Sequence, residues 1–89
     1  MIYLGVDIGK THHQAIALDA KGQPLGKSFP FDNTSKGFSQ FAAFIMAYQA
    51  SDAVCVGMEA TGHYWLNLYA FLSEMGIELH VINPIQTEA

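Results

Sequence analysis

The chain opens on an apolar run that contains one carboxylate, Ile2-Tyr3-Leu4-Gly5-Val6-Asp7-Ile8-Gly9. Alternate residues of this run share one side, which predicts a β-strand over residues 2–8. Asp7 is therefore expected on a core strand, where an ionised carboxylate is costly unless a cation or a hydrogen-bond donor compensates it. The run predicts a strand with a functional acid near its C-terminal end.

A three-stranded antiparallel meander is predicted at the start of the fold. Alternation continues over residues 11–19, and a third strand is expected over residues 24–31. Pro30 places that strand at an edge of the sheet, because proline has no N–H to donate to a neighbouring strand. An amphipathic helix follows, with N-cap candidates at residues 32–35. Its apolar stripe consists of Phe38, Phe41, Ala42, Ile45 and Tyr48.

Two further strands and a second helix complete the pattern. Residues 53–58 are apolar throughout, as expected of a parallel strand that is covered on both faces. The second helix is predicted to open at Thr61-Gly62 and to be capped by Gly76. Its apolar stripe consists of Trp65, Leu68, Tyr69, Leu72 and Met75. Residues 77–82 predict the last strand, which Asn83-Pro84 ends.

The resulting order is βββαβαβ. Helical crossovers after the meander imply a mixed sheet in which strands one, four and five are parallel. This is the start of a ribonuclease H-like α/β fold. Because no closing helix is expected after strand five, we expect residues 1–89 to be one incomplete domain, truncated after that strand.

The composition excludes several classes of protein. The chain is 51% hydrophobic and 13% charged, which argues against disorder. It has neither an apolar run near the roughly 20 residues of a membrane helix nor a basic N-terminal segment. We therefore expect a cytoplasmic protein without membrane association, and the single Cys55 in an apolar strand suits a reducing compartment. A net charge of −4 predicts poor nucleic-acid binding by this chain alone.

Asp7 and Glu59 are predicted to meet at one edge of the sheet. Each lies at the C-terminal end of a strand, and strands one and four are neighbours in this fold. Carboxylate oxygens on rigid strands suit Mg²⁺ or Mn²⁺, and two such ions about 4 Å apart can promote phosphodiester cleavage. The alternative is structural: Asp7 caps a turn and Glu59 caps the second helix. Spacing alone leaves both interpretations open.

The remaining polar motifs are less specific. Asp7-x-Gly9-x-Thr11 resembles the first phosphate-binding turn of sugar kinases and actin-like ATPases, whose fold opens with the same element order. His12 and His13 are adjacent and point to opposite faces of a strand. No histidine has metal-ligand spacing to another histidine or cysteine, which argues against zinc. Gly62 lets the chain turn sharply, so that His63 and Tyr64 can approach a phosphate or a base. The alternative, which stays open, is that His63 is solvated and Tyr64 packs in the core.

Three segments together resemble the N-terminal domain of DEDD-type insertion-sequence transposases. They are Leu4-Gly5-Val6-Asp7-Ile8-Gly9-Lys10, Glu59-Ala60-Thr61-Gly62-His63-Tyr64-Trp65 and Val81-Ile82-Asn83-Pro84. The resemblance implies a RuvC-like catalytic domain of the ribonuclease H type, with four metal-binding acids. Asp7 matches the first acid and Glu59 the second, whereas the last two have no counterpart in this chain.

The resemblance also implies an activity for the complete protein. It would cleave and rejoin DNA strands by phosphoryl transfer at a two-metal Mg²⁺ or Mn²⁺ site, completed by residues outside this chain. A guiding RNA and a homo-oligomer are expected, and Lys10 and His63 are candidate nucleic-acid contacts. With half of the acid set, the 89-residue chain alone is expected to be inactive. Two alternatives stay open: the N-terminal subdomain of an actin-like ATPase or sugar kinase, and a non-catalytic interaction module.

Overall fold

The computed structural model describes residues 1–82, which form a five-stranded sheet and two helices. The elements are β1 (Ile2–Asp7), β2 (His12–Leu18), β3 (Phe29–Asp32), α1 (Ser35–Gln49), β4 (Val54–Glu59), α2 (Leu66–Glu74) and β5 (Glu78–Ile82). The predicted order βββαβαβ is confirmed. The Asn83-Pro84 end that was predicted for the last strand lies outside the described residues.

The sheet is mixed, with the strand order β3-β2-β1-β4-β5. β2 is antiparallel to both β1 and β3, whereas β4 is parallel to both β1 and β5. Val6 of β1 lies opposite Met58 of β4, and this register fixes which residues meet at the C-terminal edge. β3, which contains Pro30, lies at an edge of the sheet as predicted. The architecture is the α/β arrangement expected for the start of a ribonuclease H-like fold.

Both helices pack against the same face of the sheet. The connections from β3 through α1 to β4 and from β4 through α2 to β5 advance in the same direction across the sheet, and crossovers of one hand then place both helices on one side. The core between the helices and the sheet includes Leu4, Val6, Ala15, Phe31, Phe38, Phe41, Ile45, Val56, Met58, Leu68 and Leu72. Neither helix covers the opposite face of the sheet, which is called the open face below. The prediction that β4 is covered on both faces is therefore wrong for residues 1–82.

The junction between β3 and α1 is tight and aromatic. Thr34 caps α1, and its hydroxyl accepts a 3.0 Å hydrogen bond from the Gly37 N–H. A Cβ atom at Gly37 would overlap the backbone of Asp32, so glycine allows the helix to begin directly after the strand. The Phe31 and Phe41 rings then stack with their centroids 4.4 Å apart. Aromatic packing therefore joins the edge strand to the helix.

Two predicted boundaries are wrong. β3 begins at Phe29 rather than at Pro24, which forms only an isolated bridge with Leu18. α2 begins at Leu66 rather than at Thr61-Gly62, because Gly62 has a φ of +61° and the next residues form turns. Gly76 follows α2 with a φ of +72°, as expected of a C-terminal cap.

The second helix buries fewer side chains than its sequence pattern predicted. α2 has nine residues, and only Leu68 and Leu72 are fully buried. Tyr69 and Met75 are each 39% exposed, and Trp65 is half-buried before the helix begins.

Residues 1–82 contain two helices, the 15-residue α1 and the shorter α2. Neither helix is long and apolar enough to cross a membrane.

Phe41 is the core side chain whose loss should be felt most strongly. It is fully buried between α1 and the sheet, whereas Met46 on the same helix is 58% exposed. Phe41→Ala should lower the free energy of unfolding by about 3–5 kcal/mol, because it leaves a cavity among packed aromatic rings. Met46→Ala, the control, should change it by less than about 0.5 kcal/mol. Urea unfolding of both variants measures the difference, and equal effects would contradict the assigned core.

Candidate functional site

Asp7 and Glu59 end two neighbouring parallel strands. Val6 lies opposite Met58, so the next residue on each strand is an acid, and the strands are about 4.8 Å apart. Both carboxylates point to the open face, since the residues before them are buried against the helices. They line one open cavity of about 500 Å³. The register therefore brings the two acids together at the edge of the sheet, as predicted.

The expectation that Asp7 is buried is wrong. Asp7 is exposed, whereas Val6 before it is buried against the helices. The strand is a core strand, but its alternation sends the acid to the face that neither helix covers. The carboxylate is therefore solvated in the described structure.

The structural alternative for these acids gains no support from the described residues. Within residues 1–82, neither carboxylate accepts a hydrogen bond from a turn or a helix end. Trp65 is the N-cap residue of α2, and no side chain caps that helix. The oxygens of Asp7 and Glu59 are therefore free to accept a cation or a donor from outside this part of the chain.

Gln14 and Thr61 extend the site with neutral oxygen atoms. Gln14 lies directly opposite Asp7 on β2, and Thr61 follows Glu59 in the loop after β4. Both line the same cavity as the acids. Carboxylate, amide and hydroxyl oxygens together are hard ligands, and this donor set fits Mg²⁺ or Mn²⁺. The sequence did not single out Gln14, because only the antiparallel register shows that it is a neighbour of Asp7.

A buried histidine supports the turn that follows Asp7. The His13 ring is 1% exposed and lies on the helix side of the sheet, while His12 is exposed on the other side, as predicted. The Gly9 N–H donates to His13 Nδ1 at 3.1 Å. A Cβ atom at Gly9 would overlap the His12 carbonyl oxygen, so the turn needs glycine there. His13 thereby fixes the backbone two residues after Asp7.

Asn33 holds the same turn from the other side. Its side-chain Nδ2 donates to the Lys10 carbonyl at 3.2 Å, and its backbone N–H donates to the Thr11 carbonyl at 2.9 Å. Burial lowers the pKa of His13, an effect that the Asn33 side chain and the charge of Asp7 oppose. A neutral ring agrees with the hydrogen bond from Gly9, because His13 Nδ1 must be unprotonated to accept it.

The two predicted nucleic-acid contacts flank the cavity without lining it. Lys10 is exposed in the turn after β1, and His63 is exposed in the segment between β4 and α2. The His63 ring packs against Tyr64 with centroids 4.4 Å apart, and Trp65 Nε1 donates to the Gly62 carbonyl at 3.2 Å. Both candidates thus lie beyond the strand ends that carry the acids, with Lys10 after β1 and His63 after β4.

A second group of ligand atoms was not predicted from the sequence. Cys55 Sγ, a Glu78 carboxylate oxygen and a His80 ring nitrogen lie within 4.8 Å of one another on the open face. Sequence spacing gave no signal, because Cys55 lies more than 20 residues before the other two. The parallel register, in which Cys55 lies opposite Glu78, brings them together.

Comparison with known proteins gives one match to a family. The profile of a transposase family, the DEDD transposases of the IS110 type, matches residues 4–89. This match covers both Asp7 and Glu59. No curated protein sequence matches the chain.

Several chains of solved structures are similar to this chain. One of them is the crystal structure of the Aquifex aeolicus member of the Ppx/GppA protein family, with a TM-score of 0.48 and 14% sequence identity. The alignment covers 97% of this chain and 36% of that chain. The present chain therefore spans about a third of that protein's length, and the likeness is too distant to bear on function.

The buried His13 should make stability depend on pH. Its pKa is lowered in the folded chain, whereas the unfolded chain titrates near the ordinary value of about 6.5. Below that pH the unfolded state binds more protons than the folded state. The stability that the neutral His13 ring contributes is therefore complete above about pH 6.5 and declines as the pH falls through that value. Thermal unfolding between about pH 7.5 and 5.5 should show a falling midpoint.

The matched variants for that measurement are His13→Gln and His12→Gln. The first removes the buried titrating ring and should flatten the dependence on pH, although it lowers stability overall. The second removes an exposed neighbour and should leave the slope unchanged. An unaltered slope in His13→Gln would mean that another group causes the acid sensitivity.

Proposed function

This chain belongs to the DEDD family of transposases, and we propose on that premise that residues 1–89 are the N-terminal part of a RuvC-like catalytic domain. The family implies DNA as the substrate and a divalent metal as the cofactor. The finer proposal is that the complete protein cleaves and rejoins DNA strands by phosphoryl transfer, with Asp7 and Glu59 as two of its metal ligands.

One observation supports this assignment more than any other. Asp7 and Glu59 end adjacent parallel strands, point to the same face and line the same cavity. Ligands of open α/β sheets bind at this C-terminal edge. When bound there, a pair of Mg²⁺ or Mn²⁺ ions activates the nucleophilic oxygen and stabilises the leaving oxygen of a phosphodiester. The donor set on these strands fits such ions.

The protein groups have distinct roles in this proposal. Asp7, on the central strand of the sheet, and Glu59, on the neighbouring strand, would hold the metal ions. Gln14 and Thr61 orient water at the edge of the cavity. His13 and Asn33 fix the backbone of the turn after Asp7. The Asp7 carboxylate is therefore already positioned before the substrate binds.

The charge of the chain limits what it can do to DNA alone. The net charge is −4, and two exposed carboxylates repel a phosphate unless cations neutralise them. Lys10 and His63 are the proposed contacts to the nucleic-acid backbone, one after each acid-bearing strand. Most of the positive surface for DNA then comes from outside residues 1–89.

The rest of the acid set is proposed to come from outside this chain as well. Asp19, Asp32 and Asp52 are the other aspartates, and none of them lines the cavity with Asp7 and Glu59. Asp19 instead accepts hydrogen bonds from the backbone of its own turn. The guiding RNA, the homo-oligomer and the cytoplasmic location stay predictions from the sequence.

The nucleotide-binding alternative has less support. It needs Gly9 and Thr11 to face a phosphate together with Asp7. The Thr11 hydroxyl instead lies 3.2 Å from His12 Nδ1, and Thr11 does not line the acid cavity. Tight binding of ATP that is lost in Thr11→Ala would favour this alternative over the transposase site.

Substitution of either acid should weaken binding of Mn²⁺. Asp7→Asn and Glu59→Gln keep the side-chain shape and remove the charge, so we expect the affinity of the chain for Mn²⁺ to fall by about tenfold or more. Electron paramagnetic resonance measures free Mn²⁺ directly. Asp32→Asn and Glu74→Gln are the matched controls, because both carboxylates are exposed and lie outside the cavity. Equal losses in all four variants would indicate non-specific binding.

DNA cleavage separates catalysis from metal binding. In the transposase that contains this domain, Asp7→Asn should lower strand cleavage by about a thousandfold, because several kcal/mol of charge stabilisation is lost. The 89-residue chain alone should not nick supercoiled DNA in Mg²⁺ or Mn²⁺. Robust nicking by the chain that disappears in Asp7→Ala would overturn the proposal that the acid set is completed elsewhere.

A further inference from the structure

The open face has a second group of ligand atoms near the N-terminal ends of β4 and of the edge strand β5. Cys55 on β4 lies opposite Glu78 on β5, and His80 follows two residues later, so all three point to one face. Their ligand atoms lie within 4.8 Å of one another, and His80 Nε2 is 2.9 Å from a Glu78 carboxylate oxygen. Thiol, carboxyl and imidazole groups therefore converge on one point.

This cluster is separate from the acid pair. Cys55 precedes Glu59 by four residues on the same extended strand, a distance of roughly 13 Å. A different cavity of about 500 Å³ lies above it, lined by residues that include Tyr3, Cys55, Glu78 and His80. Asp7 and Glu59 do not line that cavity, so a ligand can occupy one site while the other is free.

We propose that Cys55, Glu78 and His80 bind a transition-metal ion of the Zn²⁺ type. Sulfur and imidazole nitrogen are the ligands that zinc prefers, whereas Mg²⁺ prefers oxygen. In a tetrahedral site with bonds of about 2.0–2.3 Å, neighbouring ligand atoms lie about 3.5 Å apart. The three ligand atoms lie within 4.8 Å of one another, and the exposed Glu78 and His80 side chains have room to adjust.

The three side chains of the cluster shift one another's pKa values when no metal is bound. Burial and the neighbouring Glu78 carboxylate raise the pKa of the Cys55 thiol, so the sulfur is protonated without metal. The His80 ring lowers the pKa of Glu78 by hydrogen bonding. Binding replaces the thiol proton with the metal ion and releases that proton to solvent.

The consequence of binding is a cross-link between two strands. β5 is an edge strand that pairs with β4 alone in the described sheet. A metal ion held by both strands would fix their register, and with it the position of Ile82 opposite Glu59. This inference does not depend on the proposed transposase activity, because it requires neither nucleic acid nor metal binding at Asp7 and Glu59.

Cobalt is the probe for this site. The chain is reduced with a phosphine that does not bind metals and is then titrated with Co²⁺. We expect a thiolate-to-cobalt charge-transfer band in the near ultraviolet that saturates at one equivalent, together with the visible bands of tetrahedral Co²⁺. Zn²⁺ should abolish both sets of bands, whereas a large excess of Mg²⁺ should leave them unchanged.

His80→Ala and Glu78→Gln are the decisive variants, because both side chains are exposed and their loss leaves the core intact. Loss of an outer-shell partner weakens metal binding about 10-fold to 100-fold, and loss of a direct ligand should weaken Co²⁺ binding at least as much. Cys55→Ser should abolish the charge-transfer band. If Cys55→Ser prevents folding, the Co²⁺ affinities of the His80 and Glu78 variants still test the proposal.

His12→Ala and Glu74→Gln are the controls, and both should bind Co²⁺ as the unaltered chain does. His12 is an exposed histidine on another strand, and Glu74 is an exposed acid on α2 that lines neither cavity. Two results would overturn the proposal. One is a titration without any charge-transfer band. The other is a band of unchanged affinity in His80→Ala and Glu78→Gln, which would show that the thiol alone captures the ion.

Discussion

The parallel pairing of β1 with β4 is the constraint on which the rest of the structure depends. It sets Val6 opposite Met58 and so brings Asp7 beside Glu59. The register is held because alternate residues of both strands are buried against the helices. A slip of one residue would turn one set of side chains toward the opposite face. The same logic across β4 and β5 places Cys55 opposite Glu78.

The second consequence of this topology is a sheet with one covered face and one open face. Both crossovers place their helices on the same side, so the strand residues that we propose as metal ligands lie on the other side. The proposed oxygen ligands gather at the C-terminal edge, whereas Cys55, Glu78 and His80 lie nearer the N-terminal ends of β4 and β5. Hard and soft metal ions prefer different members of these two groups. A single β-strand, β4, contributes to both groups through Cys55 and Glu59.

The predicted fold was confirmed where local pattern and long-range packing agree. Alternation defined β1 and β2, helical spacing defined α1, and the edge position of β3 followed from Pro30. The start of β3 and the start of α2 were wrong, because apolar residues near Pro24 and Trp65 resemble a strand and a helix locally. Phe29 begins β3 where it stacks on Phe44 of α1. Turn geometry at Gly62 delays α2.

For the site, the residue types and their motif were enough to identify Asp7 and Glu59 as a pair, since each acid ends an apolar strand and strand order follows from the crossovers. Their exposure, the neighbourhood of Gln14 and the Cys55 cluster were not predictable in the same way. These depend on which face the helices cover and on which residues lie opposite one another between strands. Such relations join positions far apart in the chain, and they exist only once the strands have paired.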